Sequence, residues 1–228
     1  MNITQVMPRC VFIPRTVLSI ALKLLQLVIL KLAKWNVDPN YITIIGLITN
    51  LLASYFAYVQ QFLISGLLLA FGGLCDYIDG GVARATLRNS SRGAALDSIA
   101  DRLSEMVFLT ALGFFFEQYG SRILAILSFV ALIGSILTSY ARAISRAESM
   151  GVFSCLFYRQ DRVIILVVGL LLTSVNSLLF NSNSQSQGDI GQLFAIAYWP
   201  LSISVIVLAI FTCISAGQRI LSIWKSDS

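Results

Sequence analysis

Six stretches of the chain run predominantly apolar, at 41–59, 62–83, 95–116, 123–144, 161–180 and 191–215, with polar residues gathered between them. A helix that crosses a bilayer needs about 20 such residues. The pattern therefore predicts an all-α, polytopic membrane protein with six transmembrane helices bundled over 41–215. Residues 15–35 (RTVLSIALKLLQLVILKLAKW) differ, because Lys23, Lys31 and Lys34 interrupt the leucines and isoleucines. Their offsets put them on one helical side. Three lysines in a span would be costly, so this segment is read as an amphipathic helix lying in the membrane surface, lysines towards anionic headgroups. A seventh span is the alternative. Asp38-Pro39-Asn40 breaks the chain, and Pro39 suits the first turn of the next helix. No polar second domain and no internal repeat are visible, so 1–228 is read as a single membrane domain.

Composition strengthens the picture. Of 228 residues, 57% are hydrophobic and 12% charged, about half the charged fraction of a soluble domain. The mean hydropathy is +0.82. The net charge of +5 is unevenly placed. Arg84, Arg88, Arg92, Arg146, Arg159, Arg219 and Lys225 fall near 84–94, 145–160 and the C-terminal tail, whereas the opposite loops hold Arg122 alone. That asymmetry predicts both termini on the cytoplasmic side, and the charge is assigned to the membrane rather than to nucleic acid. Cys10, Cys75, Cys155 and Cys213 are scattered without a CxxC pair and are read as small buried hydrophobes. There is no histidine. Proton transfer near neutral pH then falls to another group, such as a carboxylate.

The acids carry the chemistry. Asp76, Asp79, Asp97, Asp101 and Glu105 supply five of the eleven carboxylates, all within CDYIDGGVARATLRNSSRGAALDSIADRLSE. Asp76 and Asp79 share a face at the end of one helix, and Asp97 and Asp101 a face at the start of the next. A short connection over 84–93 predicts that these helices are antiparallel neighbours, with the pairs at one depth. Four converging carboxylates need cations. Oxygen ligands without His or Cys suit Mg²⁺ or Mn²⁺. Gly80, Gly81 and Gly93 clear space beside the acids, and Arg84, Arg88 and Arg92 adjoin them. Acids, metal and arginine together suit a diphosphate.

Asp76-x-x-Asp79-Gly80-x-x-Ala83-Arg84, eight residues, then Gly93-x-x-x-Asp97-x-x-x-Asp101 resembles the signature of the CDP-alcohol phosphotransferases at every fixed position and spacing. The resemblance implies transfer of a phosphatidyl group from CDP-diacylglycerol or an ether analogue to an alcohol, with release of CMP. It implies Asp76, Asp79, Asp97 and Asp101 as ligands of one or two divalent metals. Asp101 would also be the general base, and Asp79, Gly80, Ala83, Arg84 and Gly93 would hold the CDP-lipid. It further implies a homodimer.

Members of that family differ in acceptor. Arg102 after Asp101 resembles the inositol-type branches. SYARAISRAESMG (139–151) and YRQDR (158–162) resemble elements of phosphatidylinositol-phosphate synthases, with Gln160 and Tyr158 departing from the pattern. This points to inositol phosphate or inositol, with glycerol 3-phosphate or another alcohol as the alternative. Arg142, Arg159 and Arg162 are the candidates for an acceptor phosphate, which guanidinium forks suit, although Arg162 could instead pair with Asp161. A membrane prenyltransferase and a cation transporter are remote alternatives. The first usually has two separated Asp-rich motifs, and the second often has two similar halves; this chain has one acid cluster.

Overall fold

The computed structural model describes residues 15–87, 90–147, 159–181 and 190–226. Seven helices occupy them: α1 (Arg15–Lys34), α2 (Pro39–Tyr58), α3 (Phe62–Ala85), α4 (Ser91–Gln118), α5 (Arg122–Ala147), α6 (Arg159–Asn181) and α7 (Ile190–Ser226). Each of the six apolar stretches lies on one of α2 to α7. The largest departure is α7, which was expected to end at 215 and continues to Ser226. There Arg219 donates from Nη1 to the Thr138 carbonyl of α5 at 2.8 Å, a bond that holds the helix against its neighbour past the end of the apolar run.

Local signals set the joints. Asp38 caps α2, accepting from the Asn40 amide at 3.0 Å, with Pro39 in the first turn. Ser90 caps α4, accepting from the Gly93 amide at 3.0 Å. Pro200 lies inside α7. Next to it, the Leu201 amide donates to Thr173 Oγ1 of α6 at 3.0 Å, so a neighbouring hydroxyl satisfies a donor at the break.

The six long helices close into a ring in the order α2, α4, α5, α7, α6, α3 and back to α2, and α1 lies outside against α3. One apolar cluster fills the ring, built on Phe108, Leu112, Phe115 and Phe116 of α4, Leu170 of α6, and Leu201, Val205 and Leu208 of α7. Many outward side chains are also apolar, among them Ile48, Leu67, Phe71, Ile126, Ile133, Leu172, Ile203 and Ile210, as a lipid solvent allows. Among the described residues, five helices are long and apolar enough to cross a bilayer, and α4, with its acids in the first half, is not one of them. Lys31 and Lys34 are exposed, Lys31 lying 5.0 Å from the Trp35 ring centre, while Ile29 of α1 is buried with Ile42, Cys75 and Val82.

One expectation needs correcting. The helices bearing the two acid pairs, α3 and α4, make their close backbone contacts with α2 and meet each other through side chains, with the Phe62 and Phe115 rings edge-on at 5.4 Å. A short connection constrains where a helix starts but not which flank it chooses, and a glycine eases the seam of α2 with each. Gly46 of α2 lies against Cys75 of α3, and Asn40 of α2 against Gly93 of α4. The acids therefore meet across a gap bridged by α2.

Small residues allow close seams in a membrane bundle. A Cβ at Gly134 of α5 would stand 2.8 Å from Thr212 Oγ1, 2.9 Å from its Cβ and 3.0 Å from its carbonyl carbon. Overpacking of this kind costs about 1–3 kcal/mol. Gly134→Ala is expected to lower the thermal midpoint of the detergent-solubilised protein. Gly217→Ala, whose Cβ would meet nothing within 4 Å, is the control and should leave it unchanged or raise it slightly. Equal midpoints for the two variants would refute this account of the α5–α7 seam.

Candidate active site

Across the gap, Asp76 of α3 and Asp97 and Asp101 of α4 bring one carboxylate oxygen each to within 4.8 Å of one another. Asp79 stands one turn further along α3. It is buried, and its Oδ2 accepts from Thr43 Oγ1 of α2 at 2.7 Å. All four acids line one small pocket together with Gly46, Asn50 and Gly72. The Asn50 carboxamide lies flat on Gly72, where a Cβ would not fit.

The donor set is entirely oxygen, and Asp97 Oδ1 is buried with no hydrogen-bond partner. An orphaned buried carboxylate oxygen beside two further carboxylates fits a hard divalent cation. These residues would hold such an ion.

Two cavities flank the acids. On one side lies a space of about 300 Å³ lined by Asp79, Gly80, Ala83, Arg84, Gly93 and Asp97, which brings together every residue expected to hold the CDP-lipid. The first turns of α2 and α4 also reach it through Asp38, Pro39, Asn40, Ser90 and Ala94. Helix N-termini present a positive dipole end, a natural setting for phosphate. Bare backbone at Gly80 leaves room for the Arg84 guanidinium, whose Nη1 would be 3.4 Å from a Cβ there.

On the other side Arg142 of α5 and Arg159 and Arg162 of α6 line a cavity of about 100 Å³, with Asp101, Arg102 and Glu105 of α4. The three candidate arginines are thus brought together. Arg159 Nη1 also reaches back to the acids, 3.0 Å from Asp76 Oδ2 and 2.6 Å from Asp101 Oδ1. Arg162 forms an ion pair with Glu105, its Nη2 donating to Oε2 at 3.2 Å and its Nε 2.9 Å from Oε1. Arg102 folds onto its own helix, with Nη1 2.7 Å from Ser98 Oγ. A third space of about 410 Å³ runs from Asp76 and Arg159 between α3 and α6, walled by Leu69, Leu74, Phe108, Val163 and Leu166. Arg88, Glu148 and Tyr158, and the side chain of Arg146, lie outside the described residues.

The family model for CDP-alcohol phosphatidyltransferase matches residues 36–224. The chain belongs to that family. It is an integral membrane transferase of phospholipid synthesis. An archaetidylinositol phosphate synthase of Pyrococcus horikoshii is 36% identical over 145 residues, 63% of this chain and 74% of that protein. Crystal structures of the phosphatidylinositol phosphate synthase of Mycobacterium tuberculosis share the fold. The form with CDP-DAG bound has TM-score 0.72 at 22% identity, covering 90% of this chain and 95% of that one. The form with manganese and citrate has TM-score 0.70 at 22% identity, covering 89% and 90%.

Sequence reasoning missed Thr43, Asn50, Ser90 and the Glu105–Arg162 pair. Ser90 had a local signal, a serine before a helical run; the others join distant segments and had none. Thr43 is the most informative. Thr43→Val keeps the shape but removes the donor to a buried carboxylate, a loss of about 1–3 kcal/mol. Denaturation of the metal-free protein in detergent should register that loss, and Thr43→Ser should restore most of it. Wild-type stability in Thr43→Val would mean that the bond to Asp79 contributes nothing.

Proposed function

We propose that this chain transfers the phosphatidyl group of CDP-diacylglycerol, or of an ether-linked analogue, to the hydroxyl of an inositol phosphate, releasing CMP. The observation that carries this reading is the four carboxylates standing between two cavities, one at helix N-termini with Arg84 and one lined by arginines. The names of the relatives, synthases of phosphatidylinositol phosphate and archaetidylinositol phosphate, support it.

In this reading the cytidine and diphosphate enter the larger polar cavity, against Asp79, Gly80, Ala83, Arg84 and Gly93. The lipid body follows the apolar space between α3 and α6. Asp76, Asp79, Asp97 and Asp101 hold one or two divalent cations, Mg²⁺ or Mn²⁺. A cation there would spread the charge developing on the diphosphate and make CMP a good leaving group.

Asp101 is the member of the quartet that also lines the arginine cavity. It takes the proton of the acceptor hydroxyl. The hydroxyl oxygen bonds to the lipid-side phosphorus, the bond from that phosphorus to the oxygen shared with CMP breaks, and CMP departs with the electron pair. Arg142, Arg159 and Arg162 orient the acceptor through its phosphate, because fixed guanidinium forks match phosphate oxygens. A phosphorylated acceptor is favoured over free inositol because three arginines converge on one small cavity.

The membrane arrangement follows from the same site. α4 is the sixth span, since its acids line the interior and its second half is buried among apolar side chains. α1 lies in the interface with Lys31 and Lys34 turned outward. The acids face the cytoplasm, on the side where the loop arginines collect.

The test is CMP release by purified protein with CDP-diacylglycerol and Mg²⁺, one acceptor at a time. Release is expected with inositol 1-phosphate and not with inositol, glycerol 3-phosphate or serine. Asp97→Asn should cut the rate by more than the ~100-fold that loss of an outer-shell partner costs. Arg142→Ala should raise the KM for inositol 1-phosphate about tenfold or more, the scale of one charged hydrogen bond, while the KM for CDP-lipid stays within about twofold. Preference for another acceptor would overturn the acceptor assignment, and full activity in Asp97→Asn would overturn the metal site.

A further inference from the structure

A single nitrogen of Arg159, Nη1, is shared between Asp76 Oδ2 at 3.0 Å and Asp101 Oδ1 at 2.6 Å. These acids come from α3 and α4, and both belong to the trio whose oxygens gather within 4.8 Å. The guanidinium therefore does for the cluster what a hard cation would do: it bridges carboxylates of two helices and offsets their repulsion. Arg159 is also common to the acid pocket, the apolar space and the arginine cavity. It sits in the first turn of α6, from which a long side chain can reach either the acids or the arginine cavity by rotating about its own bonds. A guanidinium stays charged at any working pH. It can leave the carboxylates by moving away from them but not by losing its charge, and two cations crowd one another on the same oxygens.

We propose that Arg159 is an internal cation that exchanges with the divalent metal. Without metal it holds Asp76 and Asp101 together. When a metal takes those oxygens, the guanidinium turns into the cavity lined by Arg142 and Arg162 and becomes part of the acceptor-phosphate site. The two substrates then load in order, metal and CDP-lipid first and phosphorylated acceptor second. This inference rests on the phosphorylated-acceptor reading above. It differs from the plainer role of a permanent strut, and the two predict opposite signs. Losing a strut weakens metal binding, because the acids splay; losing a competitor strengthens it.

The experiment is a Mn²⁺ titration of the purified chain, followed by electron paramagnetic resonance and with no lipid or acceptor present. Arg159→Gln is expected to bind Mn²⁺ about tenfold more tightly than wild type, equivalent to 1.4 kcal/mol. A second arm needs no variant: saturating Mn²⁺ should lower the Kd of wild-type protein for inositol 1-phosphate at least ~fivefold, and by linkage the acceptor should tighten Mn²⁺ equally. In Arg159→Gln that coupling should vanish. Unchanged or weaker Mn²⁺ binding by the variant, or an acceptor affinity in wild type indifferent to Mn²⁺, overturns the proposal. Should Arg159→Gln not fold, the wild-type arm decides alone. Loss of the acceptor assignment would appear separately, as CMP release with a different alcohol, and would leave the acceptor-free Mn²⁺ competition standing.

Discussion

Like charges forced together in a membrane protein govern this structure. Asp76, Asp97 and Asp101 present oxygens within 4.8 Å of one another, and Asp79 is buried one turn away. Such a group persists where positive charge and hydrogen-bond donors offset its repulsion. Arg159 bridges two of the acids, Thr43 donates to a third, and helix N-termini face the cavity beyond. Much of the polar side-chain chemistry on this half of the bundle answers the same demand. The other half answers a different one: Phe108, Phe115 and Phe116 pack against α6 and α7 and leave the acid end anchored to a rigid apolar body.

The ring gives that demand its geometry. α3 and α4 carry the acids and meet through side chains such as Phe62 and Phe115, while α2 packs closely on both. Two helices in close backbone contact along their whole length would have closed the space their carboxylates now share. With α2 as spacer, the acids reach inward from opposite walls while the polar cavity opens between the helix starts. α2 sets the width through small contacts, Gly46 on Cys75 and Asn50 on Gly72.

What was legible in the chain follows from periodicity. Asp76 with Asp79 and Asp97 with Asp101 announce shared faces, because helical spacing converts directly into geometry. The same holds for Gly80, Ala83 and Arg84, which line one cavity with Asp79. The six long helices were readable from apolar runs of bilayer length. The side on which α4 would pack was not, since a short connection is compatible with either flank of α3. Nor were Thr43 with Asp79 and Glu105 with Arg162 readable, being 36 and 57 residues apart. A helical pattern tells which face a residue occupies but not what stands opposite. Arg159 is the instructive case: a basic residue at a helix end looked like a ligand for an outside phosphate, while it also answers acids 58 and 83 positions earlier in the chain.

The two polar cavities share α4 and otherwise draw on different helices. The cavity at the helix starts is built from α2, α3 and α4, whereas the arginines opposite come from α5 and α6. Descent can therefore treat the two as separate inheritances. In the proposed reading, drift at Arg142 of α5 alters which alcohol is admitted without touching the cavity at the helix starts, whereas Arg159 of α6 is tied to the carboxylates. Under the proposed function, a lineage changes its lipid headgroup by rewriting a few positions outside the signature motif, which keeps no record of the change.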